Sequence, residues 1–408
     1  MSNKKTKKNL IKKEDETKKQ TNKDSSKNVS KKLKLVIATD NYLPRWDGIS
    51  RFLSEIVPLI SKDFELTVII PNFGKIPKSA SKNITIEKIP LSRFHAGDFQ
   101  LAKFSYFRIK SIIKKSDMVF SQTIGPIGAC AILSAKTSFK PLITFTHNIE
   151  WELFPKIVSS PFLKKFLYPV TKKFVKFLYN KSNLIIVPSS SIADMLSWQN
   201  IISKKEVVHL GVNTSKFVKG NKQDAKKEIG FKPRDFVVGY HGRLGREKDL
   251  KTLMRAFVRV RAQNPATKLL IVGSGSQDIE NVFKNQEGVY FVGQKDDVIP
   301  YIQAMDVYVI PSLTETTSLS TLEAMSCEVA VIATRVGYIK DYIIDGKNGF
   351  FFEKQNTFDL FKKICMLMDN SSLRAKIGSE ARKTVEAGFR WEETANRIRD
   401  ALHELAKK

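Results

Sequence analysis

Cysteine is scarce in this sequence. Three cysteines in 408 residues (Cys130, Cys327, Cys365) stand far apart without a Cys-x-x-Cys pair, so neither a disulfide framework nor a thiolate zinc site is expected, and the usage fits a reducing cytosol. No apolar run reaches the length that crosses a bilayer, and the amino terminus lacks the apolar stretch of a secretory signal. Neither a membrane span nor export is therefore expected. Acidic residues are also in short supply, 41 against 69 lysines and arginines, for a net charge of +28.

The surplus is unevenly spread. Residues 1–34 hold thirteen lysines against four acids and show no apolar pattern. The tail 1–32 is therefore expected to be disordered. The rest of the chain still carries an excess of positive charge, which calls for a polyanionic neighbour: phosphates on a ligand, anionic lipid headgroups or nucleic acid. Basic and aromatic residues are not interleaved as in a nucleic-acid-binding module, so no specific nucleic acid is expected.

Hydrophobic residues make up 42% of the chain, enough for two cores, and the length favours two domains. Order begins at LKLVIATD (33–40), a short apolar run with β-branched residues. ELTVIIP, ITIEKIP, MVFSQ, PLITFTHN and NLIIVPSS follow, mostly separated by helix-like segments. The alternation argues for parallel βαβ units. It restarts with DFVVGYHGRL (235–244), TKLLIVGSG, GVYFVGQ, DVYVIPS and VAVIATR, after a polar connector beginning VVHLGVNTSKF. The expected organisation is one α/β domain over 33–212, a second over 213–390, and an amphipathic helix over 391–408. Two doubly wound sheets facing each other would bring the carboxyl ends of both sets of strands to one cleft.

Two stretches carry chemistry. In YHGRLGREKDLKTLMRAF a strand ends at His241-Gly242, a turn holds Arg243 and Lys248, and a helix begins near Asp249. A helix start with two fixed cations suits a diphosphate, although a solvated strand–helix turn has the same residues. In PSLTETTSLSTLEA (311–324), Glu315 and Glu323 stand seven residues apart. Ser320-Thr-Leu-Glu323 has the form of a capping box, which explains Glu323 without a ligand. Nothing in the folding pattern requires Glu315. Paired carboxylates accept hydrogen bonds from vicinal hydroxyls, as on a sugar or ribose.

Taken in order, GYHGRL, LLIVGSGSQ, VYVIPSLTE with its Glu-x7-Glu spacing, and GYIKDYIIDGKNGFFFE resemble the nucleotide-binding half of family-4 retaining glycosyltransferases. YLPRWDGISRF, THNIEWE, IIVPSS and LGVNTSKF resemble the other half. The resemblance implies the GT-B fold, two Rossmann-like domains around a cleft, with a C-terminal helix crossing back. It implies transfer from a UDP- or GDP-sugar to a glycan or lipid-linked acceptor with retention of configuration. Arg243 and Lys248 would hold the donor diphosphate, Glu323 the ribose and Glu315 the hydroxyls of the transferred sugar. The amides of Thr316, Thr317, Ser318 and Leu319 would meet phosphate or sugar. Gly48 would let the first loop approach the donor, and His147 would sit beside the reacting carbon.

The sequence contains no Asp-x-Asp pair. The resemblance therefore implies no cofactor and no metal, with the leaving-group charge falling on Arg243, Lys248 and a helix N-terminus. The sequence departs from the family pattern where Thr316 to Ser318 replace an aromatic-and-glycine run, and where Glu328 replaces a glycine and Ala330 a proline. The last two keep open an inactive GT-B partner subunit, and the charge keeps open a nucleic-acid-binding protein.

The segment 160–181 is rich in lysine and aromatics. Leu163, Phe166, Leu167, Val170, Phe174, Phe177 and Leu178 share one helical face. That face is expected to pack on the sheet. The lysines and the tail would draw the protein to an anionic lipid surface, placing it in the cytoplasm at the inner face of the membrane.

Overall fold

The computed structural model describes residues 32–45, 47–76, 84–96, 99–147, 149–151, 161–315 and 317–407. The lysine-rich tail and Thr316 lie outside them, as does the Leu163 side chain.

Among the described residues the first sheet contains β1 (Leu33–Ala38), β2 (Phe64–Pro71), β3 (Ile84–Ile89), β6 (Met118–Ser121), β7 (Leu142–Phe145), β8 (Leu184–Val187) and β9 (Lys204–Val207). The hairpin strands β4 (Leu91–Ala96) and β5 (Phe99–Ala102) pair only with each other. The sheet is parallel throughout, in the order β3-β2-β1-β6-β7-β8-β9. The second sheet contains β10 (Phe236–His241), β11 (Thr267–Val272), β12 (Val289–Gly293), β13 (Val307–Ile310), β14 (Ala330–Thr334) and β15 (Phe350–Phe352). It is also parallel, in the order β12-β11-β10-β13-β14-β15. Helices cover both faces, so central strands such as FVVGYH and VYVI are buried at every position. The fold is α/β, with two Rossmann-like units.

In each sheet the winding reverses once, between β1 and β6 and between β10 and β13. A crevice opens at the carboxyl ends of the strands where the order reverses. These two crevices position the residues discussed below.

The chain crosses between the units twice, side by side. Val212 N–H donates to the Phe389 carbonyl (2.8 Å), and Val212 bridges Arg390. A Cβ on Gly211 would lie 2.4 Å from the Trp391 nitrogen, so only glycine fits where the crossings touch. Beyond this point the helix Trp391–Ala406 returns to the first unit. Its Trp391, Ile398 and Leu402 enter the core that holds Phe52 and Ile56, and Arg399 pairs with Asp63 (3.0 Å).

The segment 161–179 is a helix, but the apolar face expected to pack on the sheet does not do so. Phe166 (60% exposed), Val170, Phe174 and Phe177 face outward, while Val175, Leu178 and Tyr179 are buried. Of these buried residues only Leu178 belongs to the face expected from the sequence; Val175 and Tyr179 lie to one side of it. A stripe confined to the C-terminal turns is enough to join this helix to the core, and it leaves a row of aromatics uncovered.

Candidate functional site

In the first unit, the strand ends present both an occupied helix terminus and a packed histidine ring. Asp40 follows β1. Its carboxylate accepts from Thr123 Oγ1 (2.6 Å), Ile127 N (2.8 Å) and Gly128 N (3.1 Å). Burial raises its pKa, opposed by these hydrogen bonds. A Cβ on Gly125 would lie 2.6 Å from the Asp40 carboxyl carbon. The amides at the start of the helix Pro126–Thr137 are thus already engaged by an internal acid, which leaves that terminus no room for a phosphate.

His147 follows β7 and bonds through Nε2 to Gln122 Oε1 (2.9 Å), just past β6. Its ring stacks on Phe145 (4.2 Å between centroids) and meets Phe52 edge-on (4.9 Å). Desolvation pushes its pKa down to about 3, so the ring is neutral at physiological pH. Nε2–H then donates to Gln122, whose side-chain nitrogen is left buried without a partner. Gly48 opens the helix Gly48–Ile60, which Asp47 caps by accepting from Ile49 N and Ser50 N. A Cβ at Gly48 would meet nothing within 4 Å, so packing gives no reason for glycine and the space before it is open.

In the second unit the two loops foreseen from the sequence lie against each other. Leu313 N–H donates to the Glu247 carbonyl (2.8 Å). Lys248 Nζ reaches Glu315 Oε1 at 2.5 Å, and Ser312 Oγ donates to the same oxygen at 2.6 Å. Lys248 is 16% and Glu315 7% exposed. The fold therefore does require a carboxylate at 315, contrary to expectation: it neutralises a nearly buried lysine. The Glu315 carbonyl packs where a Cβ on Gly337 (φ +51°) would stand, at 1.9 Å. Arg243 is mostly exposed and pairs with Glu247, away from the other cation.

The capping-box reading of Glu323 is also overturned. The helix runs Leu319–Ser326 after Ser318 (φ 59°), so Glu323 sits too deep in it to reach a cap amide. Instead its Oε2 accepts from His241 Nε2 (2.8 Å), and its Oε1 meets the Arg51 guanidinium. Glu323 is 1% exposed. Desolvation, with Arg51 adding to it, pushes the His241 pKa down to about 3. His241 is thus a neutral donor.

Arg51 belongs to the Gly48 helix of the first unit and spans the cleft. The next residue, Phe52, touches the His147 ring. The contacts Glu323–Arg51 and Phe52–His147, made by neighbouring residues of one helix, link the expected residues of the two units. His241 Nδ1 and Thr317 Oγ1, both buried here, have no partner among the described residues. At the start of the Leu319 helix, Thr321 N and Leu322 N donate to the Ser318 carbonyl, and among the described residues no acid accepts from Leu319 N or Ser320 N as Asp40 does from the helix start of the first unit. The anion-receptive terminus is therefore in the second unit.

Asp40, Gln122, His241 and Arg51 were not singled out from the sequence. His241 had a usable signal, since it ends a buried strand immediately before Gly242. Among the described residues no group of three His, Cys, Asp or Glu side chains converges as a metal site. No helix among them is long and apolar enough to cross a membrane.

Two family models match the chain: "Glycosyltransferase Family 4" over residues 46–216 and "Glycosyl transferases group 1" over residues 221–384. An uncharacterised glycosyltransferase of Methanocaldococcus jannaschii is 24% identical over 404 residues, covering 92% of this chain and 99% of the relative. An alpha-monoglucosyldiacylglycerol synthase of Acholeplasma laidlawii is 23% identical, covering 86% and 92%. Among solved structures, Anabaena HepE in complex with UDP superimposes with a TM-score of 0.75 at 18% identity, over 91% of this chain and 100% of that one.

Proposed function

Because the chain belongs to the family-4, group 1 glycosyltransferases of GT-B fold, we propose that it transfers a sugar from a nucleotide diphosphate sugar with retention of configuration and without a metal. The observation that carries the reading is the assembly at the second switch point. There the Lys248–Glu315 pair, the Glu323–His241 pair and the start of the Leu319 helix gather, and Arg51 of the first unit reaches Glu323 across the cleft. Glu323 binds the ribose and Glu315 the hydroxyls of the transferred sugar. Arg243, Lys248 and the amides from Thr316 to Leu319 take the charge that develops on the leaving diphosphate. His147, neutral and braced by Gln122, flanks the reacting carbon, and Gly48 leaves room for the donor. In the step itself the sugar–phosphate C–O bond breaks as the acceptor oxygen bonds the same face. The acceptor proton passes to the departing phosphate oxygen, so no protein nucleophile takes part.

A uridine donor is supported by the UDP complex of the Anabaena neighbour. A lipid-linked or glycan acceptor is supported by the diacylglycerol-glucoside synthase among the relatives. The exposed aromatics of the helix Pro161–Tyr179, flanked by Lys165, Lys172, Lys173 and Lys176, support peripheral docking on an anionic membrane.

The test is a thermal-shift panel of UDP-, GDP- and ADP-sugars, because a ligand that binds only the folded state raises its melting temperature. One sugar nucleotide should shift the melt, and Glu323→Gln should lose the shift. Turnover with that donor should survive EDTA and give the retained anomer by NMR. No shift with any sugar nucleotide would refute the donor site. Loss to EDTA, or an inverted product, would refute the metal-free retaining step.

A further inference from the structure

We infer that Arg51 is a ligand-exchange residue: it neutralises Glu323 when the site is empty and passes to the donor diphosphate when the ribose takes its place. This inference rests on the donor-site reading above.

The argument begins with the two oxygens of Glu323. His241 Nε2–H holds Oε2 at 2.8 Å, and burial keeps His241 neutral. Among the described residues the negative charge is therefore paired only with Arg51, which meets Oε1. At 1% exposure the carboxylate has no access to solvent as an alternative. Ribose hydroxyls that bind Glu323 must approach Oε1, so they displace an Arg51 N–H. Hydroxyls carry no charge, and the exchange leaves the guanidinium beside an entering diphosphate with Glu55, one turn along its own helix, as its acidic neighbour.

The other cations differ in this respect. Lys248 is held by Glu315 and Arg243 by Glu247, and neither carboxylate depends on the ribose for release. Arg51 is 23% exposed and its guanidinium lies over the Phe217 ring, 5.7 Å from the centroid. That apolar platform leaves the planar fork free to turn, a geometry suited to phosphate oxygens. Arg51 also comes from the opposite unit, in the first turn of the Gly48 helix. Occupancy of the nucleotide site is thereby coupled to the contact between the two units.

The experiment compares uridine with UDP by titration calorimetry on the full chain, with guanosine and GDP in parallel. In Arg51→Met, removal of the competitor for Oε1 should leave nucleoside affinity equal to wild type or higher. The advantage of the diphosphate over its nucleoside should fall about tenfold or more, the scale of one lost charge-assisted hydrogen bond. Arg51→Lys, which keeps the charge without the fork, should recover part of that advantage. An unchanged advantage would show that Arg51 does not reach the diphosphate. An equal loss for nucleoside and diphosphate would show that Arg51 only supports Glu323, and either result overturns the inference while leaving the donor site standing. A wild type that binds no diphosphate removes the donor reading itself. Should Arg51→Met not fold, Arg51→Gln makes the same comparison.

Discussion

Replacing Lys248 with methionine removes the only cation among the described residues within bonding distance of Glu315, a carboxylate 7% exposed. Removing one partner of a buried ion pair leaves the other charge uncompensated, at a cost of about 3–5 kcal/mol. For a unit of this size that corresponds to a fall in melting temperature on the order of 10 °C. Glu315→Gln alone should also destabilise, because it leaves Lys248 unpaired at 16% exposure. The double variant should recover most of the loss, since the amide oxygen of a glutamine can still accept from Ser312 Oγ and no net charge is left buried. The assay is a double-mutant cycle from thermal and urea unfolding, with a coupling of at least about 2 kcal/mol expected. Additive single-site effects below about 1 kcal/mol would refute the reasoning. They would mean that the pair behaves as an exposed one and that Glu315 is not committed to Lys248. In every variant the nucleotide-induced shift should be lost, so stability and ligand binding separate in the double variant alone.

Three other outcomes follow from particular residues. His147 and His241 both have pKa values pushed to about 3 from an ordinary 6.5, so their contribution to stability is fully present above about pH 6.5 and is lost as the pH falls toward 3. His241→Gln should flatten the acid limb of a melting-temperature profile, and an unchanged limb would count against the shift. Glu328 holds φ 58°, a left-handed conformation that costs a side chain roughly 1 kcal/mol, and its pair with Lys219 is exposed. Glu328→Gly should therefore be neutral or stabilising by up to about 1 kcal/mol in unfolding assays, whereas a clear loss would locate the value of Glu328 elsewhere. The triple variant Phe166→Ser/Phe174→Ser/Phe177→Ser should reduce co-sedimentation with anionic vesicles and leave the nucleotide shift intact. Undiminished sedimentation would remove this helix from the membrane contact.

The Rossmann-like frame was legible because buried parallel strands are continuous apolar runs, and VYVI or FVVGYH admits little else. The segments that escaped notice lie at edges or are very short. β9 reads KKEV, whose polar side chains suit an edge, and β15 is only three residues within a segment noticed for its glycines. The helix Pro161–Tyr179 shows a different limit. Its sequence has one coherent apolar face, but the sheet takes a neighbouring stripe, and periodicity alone cannot tell a face that meets protein from one that meets something else. Glu328 is the converse case. A departure from the family pattern reads as an anomaly in sequence, and the backbone shows why glycine is usual there, because the position is held at positive φ and Glu328 bears the strain.

The site was legible as residue types but not as partnerships. Arg243, Lys248 and Glu315 stand in the turns after β10 and β13 and Glu323 in the helix that follows, where the motif places them, yet their partners in the empty protein are set by tertiary contact. Each acid is matched by a base: Glu315 by Lys248, Glu247 by Arg243, and Glu323 by Arg51 from 272 positions earlier in the chain. This matching has a physical reason. In the proposed reaction the cleft receives a diphosphate without a metal and so needs fixed positive groups, and fixed positive groups in a poorly solvated place are costly until something neutralises them. The carboxylates serve as that neutraliser and, in the proposed reaction, as the hydroxyl acceptors for ribose and sugar. The plugged helix of the first unit completes the arrangement, because Asp40 occupies the one comparable terminus on that side. Asp40→Asn should consequently destabilise the first unit by about 1 kcal/mol, the scale of a lost helix-terminal charge, without changing which side of the cleft binds phosphate.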